Sequence, residues 1–289
     1  MNPAQRIEQA LQGALATACA PGCPPQLSAA LQHAVFPGGA RVRPRLCLAV
    51  AAACGDRFPR LADAAAASIE LLHSASLVHD DLPCFDNADM RRGKKSVHKA
   101  FGEPIAVLAG DALIVAAFQV LARNAGEAPE RLADLLLVVA QAVGAPAGIV
   151  AGQAWEAELA VPLSDYHRAK TGSLFAAATI AGALAAGAEP GAWRRLGECL
   201  GEAFQVADDI CDLVSDPAER GKPSQQDLAH QRPNAVTELG LNGAARRLEA
   251  LLKEASESIP ACPGQQALRK TIAIESRPYL PKGFSLRAA

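Results

Sequence analysis

Apolar residues recur at three- and four-residue spacings along almost the whole chain, punctuated by Gly and Pro. The pattern predicts helices near 3–19, 25–35, 42–54, 60–81, 104–122, 128–143, 145–158, 164–186, 190–214, 224–230, 234–258 and 264–274. No stretch alternates apolar and polar residues well enough to predict a strand. Neither a composition shift nor a fixed-period repeat divides the chain, so residues 1–289 are expected to form one domain. The tail from about 276, with Pro278 and Pro281, is expected to be irregular.

Composition narrows the class. Hydrophobic residues make up 50% of the chain and aromatics only 4%. Ala and Leu dominate, and both are strong helix formers, which favours an all-α fold. A formal net charge of −2 gives no reason to expect nucleic acid or an anionic membrane surface as a partner. No charge-free apolar stretch reaches about 18 residues with membrane-like flanks, and the N-terminus lacks a basic region followed by an apolar one. No integral membrane segment is expected. The eight cysteines form no Cys-x-x-Cys pair and sit mostly in apolar helical patterns, which argues against a zinc site or disulfide framework. A reducing, cytoplasmic location is expected.

Two acidic segments, Asp80-Asp81-Leu82-Pro83-Cys84-Phe85-Asp86 and Asp208-Asp209-Ile210-Cys211-Asp212, each adjoin a long apolar helical pattern. Burying unpaired carboxylates costs several kcal/mol per charge, so two such clusters imply bound cations. Oxygen-only donors suit Mg²⁺ shared with phosphate oxygens. On a helix, Asp208 and Asp212 share a face, Gln205 lies on it, and Asp209 can reach the same side. Pro83 stops regular helix, so Asp86 returns from an irregular turn. The basic run Arg91-Arg92-Gly93-Lys94-Lys95 follows, and Arg forks suit phosphate oxygens. Arg41 and Arg43 stand just before a predicted helix, where backbone N–H groups also attract anions. Lys170-Thr171 lies inside a helical stretch, and His73 is two helical turns before Asp80 on the same face. Taken singly, each piece also fits a bland role: a solvated acidic helix end, a mixed-charge loop, a helix-entry turn, a core histidine. His79 reads as a structural hydrogen-bonder.

In combination the pieces are more specific. Ile69 through Asp86, then Met90-Arg91-Arg92-Gly93, Gly110-Asp111-Ala112-Leu113, Lys170-Thr171-Gly172 and Phe204-Gln205-Val206-Ala207-Asp208-Asp209-Ile210-Cys211-Asp212 together resemble the trans-polyprenyl diphosphate synthases, over about Pro37 to Lys222. The segment from Asp80 to Glu103 looks most like the geranylgeranyl diphosphate synthases of bacteria and plants, of the carotenoid or bacteriochlorophyll branch. The resemblance implies a single all-α bundle around a deep central cavity, usually homodimeric, that joins isopentenyl diphosphate to an allylic diphosphate. It implies that Asp80, Asp81 and Asp86 hold two Mg²⁺ ions, and that Asp208 and Asp209, supported by Asp212, hold a third. Arg91, Lys170 and Lys222 would hold the allylic diphosphate, and Thr171 and Gln205 would face the allylic cation. Arg41, His73 and Arg92 would hold isopentenyl diphosphate. Ala75 and Ser76 stand where members stopping at fifteen carbons often carry an aromatic residue, so a twenty-carbon product is expected, with Phe118 a candidate for a deeper floor. The chain departs from the family pattern at Ala40 and Gln226, where lysines are usual, and at Arg232-Pro233-Asn234, where an aromatic-proline ending is usual; weaker substrate binding and compensation by Lys94, Lys95 or Arg232 are the two alternatives. Synthases of other product length, a non-catalytic subunit of a heteromeric synthase and a class I terpene cyclase are the alternatives. Both aspartate clusters are intact, against the second, and an isopentenyl site is implied, against the third.

Overall fold

The computed structural model describes residues 2–36, 38–159, 162–214 and 234–276. Within them the helices are α1 (Pro3–Ala18), α2 (Pro25–Val35), α3 (Val42–Ala53), α4 (Pro59–Asp80), α5 (Val97–Phe101), α6 (Glu103–Asn124), α7 (Leu132–Val143), α8 (Ile149–Ala154), α9 (Leu163–His167), α10 (Ser173–Ala186), α11 (Arg194–Val214), α12 (Ala235–Glu257) and α13 (Gln265–Glu275). The predicted all-α fold is what the chain adopts. The helix read over 224–230, the tail from 277 and Lys222 lie outside the described residues.

The centre is built by α4 and α10. From Leu174 to Ala186 every residue of α10 is buried, and α4 buries Ala64–Ala67, Leu71 and Leu72. Small side chains let these helices approach closely. At Gly182 an added Cβ would meet the Cys47 carbonyl oxygen at 2.3 Å, so α3 and α10 meet almost backbone to backbone there. Helix α4 packs against α3, α6 and α10, and α11 packs against α10 and α12. Pro59, Pro104 and Pro25 open their helices at the first turn, where a missing N–H costs nothing. A reciprocal Asn2–Gln5 capping box starts α1.

Three departures from the periodic reading matter for the site. First, β1 (Met90–Arg91) and β2 (Lys94–Lys95) form a two-stranded antiparallel hairpin where no strand was predicted. Its turn residues Arg92 and Gly93 both have positive φ, 54° and 77°, which matches the twist of a tight hairpin. Second, the helix predicted over 164–186 contains a π-helical turn at Arg168–Gly172 between α9 and α10. Third, the stretch predicted as one helix over 145–158 shrinks to the short α8 and a 3₁₀ turn, Trp155–Ala157.

By length and composition, Pro59–Asp80, Glu103–Glu127 and Ser164–Ala186 are long and apolar enough to cross a membrane. The first and third bury 78% and 89% of that apolar stretch inside the bundle. The middle one buries only 44%, so α6 carries an outward apolar face that includes Val107, Leu108 and Val115.

Candidate active site

A cavity of about 670 Å³ opens between the ends of α4 and α11. Its mouth is polar: Asp80, Arg91, Arg92, Lys170, Thr171, Gln205 and Asp208. Its depth is apolar: Leu72 and Ala75 from α4, Ile114 from α6, Val143 from α7, and Ile149 and Val150 from α8. The mouth therefore suits a charged head and the depth suits a hydrocarbon tail.

The periodicity of α4 brings His73, Ser76 and Asp80 to the cavity at spacings of three and four. The Ser76 hydroxyl donates to the His73 carbonyl at 2.8 Å, so it is satisfied within its own helix. His73 Nε2 lies 3.4 Å from Arg43 Nη1. Since arginine only donates, that nitrogen accepts and the ring proton sits on Nδ1. Burial, and then the guanidiniums of Arg43, Arg92, Arg91 and Arg41, push the His73 pKa well below 6.5. The imidazole is thus neutral at pH 7. Arg43 itself stacks over Phe175 and Phe204, 4.7 and 5.7 Å from the ring centroids.

The six aspartates divide into two kinds. Asp80 and Asp208 line the cavity. Burial raises the Asp80 pKa, the Lys170 and Arg91 charges oppose the rise, and Asp86 adds to it. Buried Asp80 Oδ1 has no hydrogen-bond partner. Such an orphaned carboxylate oxygen, facing a second acidic group across a polar mouth, fits a hard divalent cation. Asp81, by contrast, is 2% exposed and turned onto Arg91, whose Nε reaches its two oxygens at 2.9 and 3.2 Å. Burial also raises its pKa, against the pull of Arg91. Asp209, equally buried, accepts from Gln205 Nε2 at 2.9 Å and from the Ala235 N–H at 2.8 Å. These two brace the site and do not line it. Asp86, whose N–H donates to the Asp80 carbonyl at 3.0 Å, and Asp212 are both half-buried and outside the cavity lining. Among the described residues no three acidic or imidazole side chains stand together as a ready metal cage.

Arg41 does not reach the cavity. With φ at 52° it turns inward, 8% exposed, and binds Glu8 (2.9 Å), Glu70 (2.7 Å) and the Val35 carbonyl (2.9 Å). Arg43, two residues on and inside the first turn of α3, lines the cavity in the place expected of Arg41. Arg91 stays at the mouth, bridging Asp81 and, at 3.6 Å, Asp80. Arg92 lines the cavity with its guanidinium packed on Gly39. Lys94 is not a spare cation for the site, since its ammonium holds the His33 and Phe36 carbonyls at the end of α2. Thr171 donates to Gln205 Oε1 at 2.8 Å, completing a chain from Thr171 through Gln205 to Asp209. Lys170 meets Glu156, a group with no signal in the sequence pattern. His79 bonds the Val107 carbonyl at 3.3 Å, the structural role expected of it.

The profile of the polyprenyl synthetase family matches residues 24–268. The chain belongs to the polyprenyl synthetase family. Within this family it is 53% identical to a geranylgeranyl diphosphate synthase of Cereibacter sphaeroides over 98% of both chains. It is 52% identical to one of Rhodobacter capsulatus over 95% of both. Among solved polyprenyl synthetase-like folds, a geranyltransferase of Helicobacter pylori, complexed with magnesium and isoprenyl diphosphate, shares 30% identity. It superposes with a TM-score of 0.77 over 95% of this chain and 97% of that one.

Proposed function

We propose that the protein is a geranylgeranyl diphosphate synthase, condensing isopentenyl diphosphate with an allylic diphosphate to a twenty-carbon chain. The observation that carries this reading is the two-part cavity: cations and carboxylates at the mouth, and an apolar depth that Ala75 and Ser76 leave open. The near-full-length relatives named for this activity support it.

In the reaction the allylic C–O bond breaks and pyrophosphate leaves with the electron pair. The isopentenyl double bond attacks the allylic carbon, and loss of a proton restores a double bond. The leaving pyrophosphate can take that proton, so no protein base is required. Arg91 and Lys170 face the allylic diphosphate, and Lys222 is assigned to the same group by family resemblance. Arg43, Arg92 and neutral His73, which can offer its Nδ1–H, suit the isopentenyl diphosphate. Thr171, fixed by its bond to Gln205, turns an oxygen dipole toward the allylic carbon as charge develops. Asp80, Asp86 and Asp208 would hold Mg²⁺, about three ions by family resemblance, and the ions would stabilise the departing pyrophosphate. Asp81, Asp209 and Asp212 serve behind them. The exposed apolar strip Val107, Leu108 and Val115 on α6 suits burial against a second copy, making a homodimer. The chain is assigned to the cytoplasm on its composition.

The test is incorporation of labelled isopentenyl diphosphate into an acid-labile allylic product, with Mg²⁺ and five-, ten- or fifteen-carbon starters. Incorporation that stops on chelation supports the reading. No incorporation with any starter refutes it and favours a non-catalytic subunit.

A further inference from the structure

Glu156 lies in the turn after α8, and its carboxylate accepts from at least three side chains. Its Oε1 accepts the Tyr166 hydroxyl at 2.6 Å and also the Lys170 ammonium, while Oε2 accepts the Gln153 amide at 3.1 Å. The carboxylate is only 15% exposed. The same ammonium stands 3.7 Å from Asp80 Oδ1, within ion-pair distance but beyond hydrogen-bond reach. That oxygen is buried and has no hydrogen-bond partner. A lysine side chain has four flexible carbons, and less than an ångström separates the ammonium from a full contact with Asp80.

Three features keep Lys170 off Asp80. Glu156 takes the ammonium, and Tyr166 fixes the accepting oxygen while its ring centroid lies 5.7 Å from Nζ. The backbone is also pinned: an added Cβ at Gly152 would sit 2.4 Å from the Lys170 nitrogen, so α8 and the π-helical turn are in contact. Gly152 and Glu156 are four residues apart, one chain turn carrying both contacts. Arg91, 3.6 Å from Asp80 Oδ2, and Asp86 approach Asp80 from the hairpin and from the turn after α4.

We propose that Glu156 is a positioning residue that draws the Lys170 ammonium away from Asp80, keeping that carboxylate open for a divalent cation while the ammonium still faces the diphosphate. The inference rests on the reading of Asp80 as a metal ligand. Without Glu156 the ammonium closes on Asp80 and competes with the metal for the same oxygen.

Binding of Mn²⁺ alone, read from the electron paramagnetic resonance of free Mn²⁺, tests this without turnover. Glu156→Gln keeps the shape and the Tyr166 contact but removes the charge. It should weaken Mn²⁺ binding about tenfold, the scale of one charge-assisted hydrogen bond. In a Lys170→Met background the same substitution should change binding less than about twofold, because no ammonium remains to be released. This non-additivity identifies an action through Lys170. Glu156→Asp keeps the charge and loses one methylene of reach, and should fall between wild type and Glu156→Gln. Equal weakening by Glu156→Gln in both backgrounds would overturn the proposal in favour of simple through-space charge or structural support, and no weakening in either would also overturn it. Should Glu156→Gln fail to fold, Glu156→Asp in the two backgrounds gives the same comparison. Wild-type protein that makes product and binds Mn²⁺, with an additive cycle, refutes the Glu156 proposal alone. Wild-type protein that binds no Mn²⁺ removes the metal-ligand reading and this proposal together.

Discussion

Replacing Ala75 with phenylalanine should shorten the product. Ala75 lies five residues before Asp80 on a continuous helix, which places it about 7.5 Å below the carboxylate. Leu72, still lining the cavity, lies about 12 Å below. A growing chain whose diphosphate is held at the mouth must therefore pass Ala75 to use the space beside Leu72, Ile114 and Val143. A phenyl ring there must either fill that passage or push into packed α4 neighbours. Forcing a chain past such a ring costs about 1–3 kcal/mol, the usual range for overpacking. That predicts a roughly 5- to 150-fold fall in the ratio of twenty- to fifteen-carbon product. The assay is product chain length by chromatography, after thermal unfolding has verified that the variant is folded. A folded, active variant with an unchanged product mixture would refute the steric account of length.

Arg43→Met should raise the KM for isopentenyl diphosphate at least about tenfold, the scale of one lost charge-assisted contact, with little change in Tm. Arg41→Met should do the opposite, lowering stability by about 3 kcal/mol through stranding buried Glu70 while sparing the KM, as denaturant unfolding and kinetics would show. The depressed His73 pKa gives a pH signature: the folded imidazole resists a proton that the unfolded chain takes near 6.5. Stability conferred by neutral His73 is therefore present above about pH 6.5 and falls as pH drops below it. In Tm measurements across pH 5 to 7, His73→Gln should flatten that part of the slope, and an unchanged slope would contradict the assignment. Leu108→Lys on the exposed face of α6 should turn a dimer into monomer in sedimentation; a monomeric wild type would dismiss that surface as the interface.

Much of this was legible in the chain because its helices are long, alanine-rich and strongly periodic. The end of α4 at Asp80 and the end of α11 beyond Asp212 followed from that pattern, while the cavity between them was implied by the family resemblance alone. The hairpin at 90–95 was not legible, since two-residue strands are too short to show alternation and its turn depends on positive φ at Arg92 and Gly93. The π-helical turn at Arg168–Gly172 carries the same apolar pattern as an α-helix. Arg41 and Arg43 are indistinguishable by type and neighbourhood, and only contacts with Glu8 and Glu70, 33 and 29 residues away, draw Arg41 inward. Adjacent aspartates do differ predictably on a helix, about 100° apart, and that rotation turns Asp209 into the core beside cavity-lining Asp208. Glu156 becomes visible only when α8 and the π-helical turn are brought together.

The most direct measurement is the mass of the product released when the purified protein is given farnesyl diphosphate, excess isopentenyl diphosphate and Mg²⁺. The account predicts a single twenty-carbon diphosphate with no further elongation. Accumulation of longer chains, or failure to extend a fifteen-carbon starter while extending shorter ones, would contradict a cavity whose depth is set beside Leu72, Ile114 and Val143.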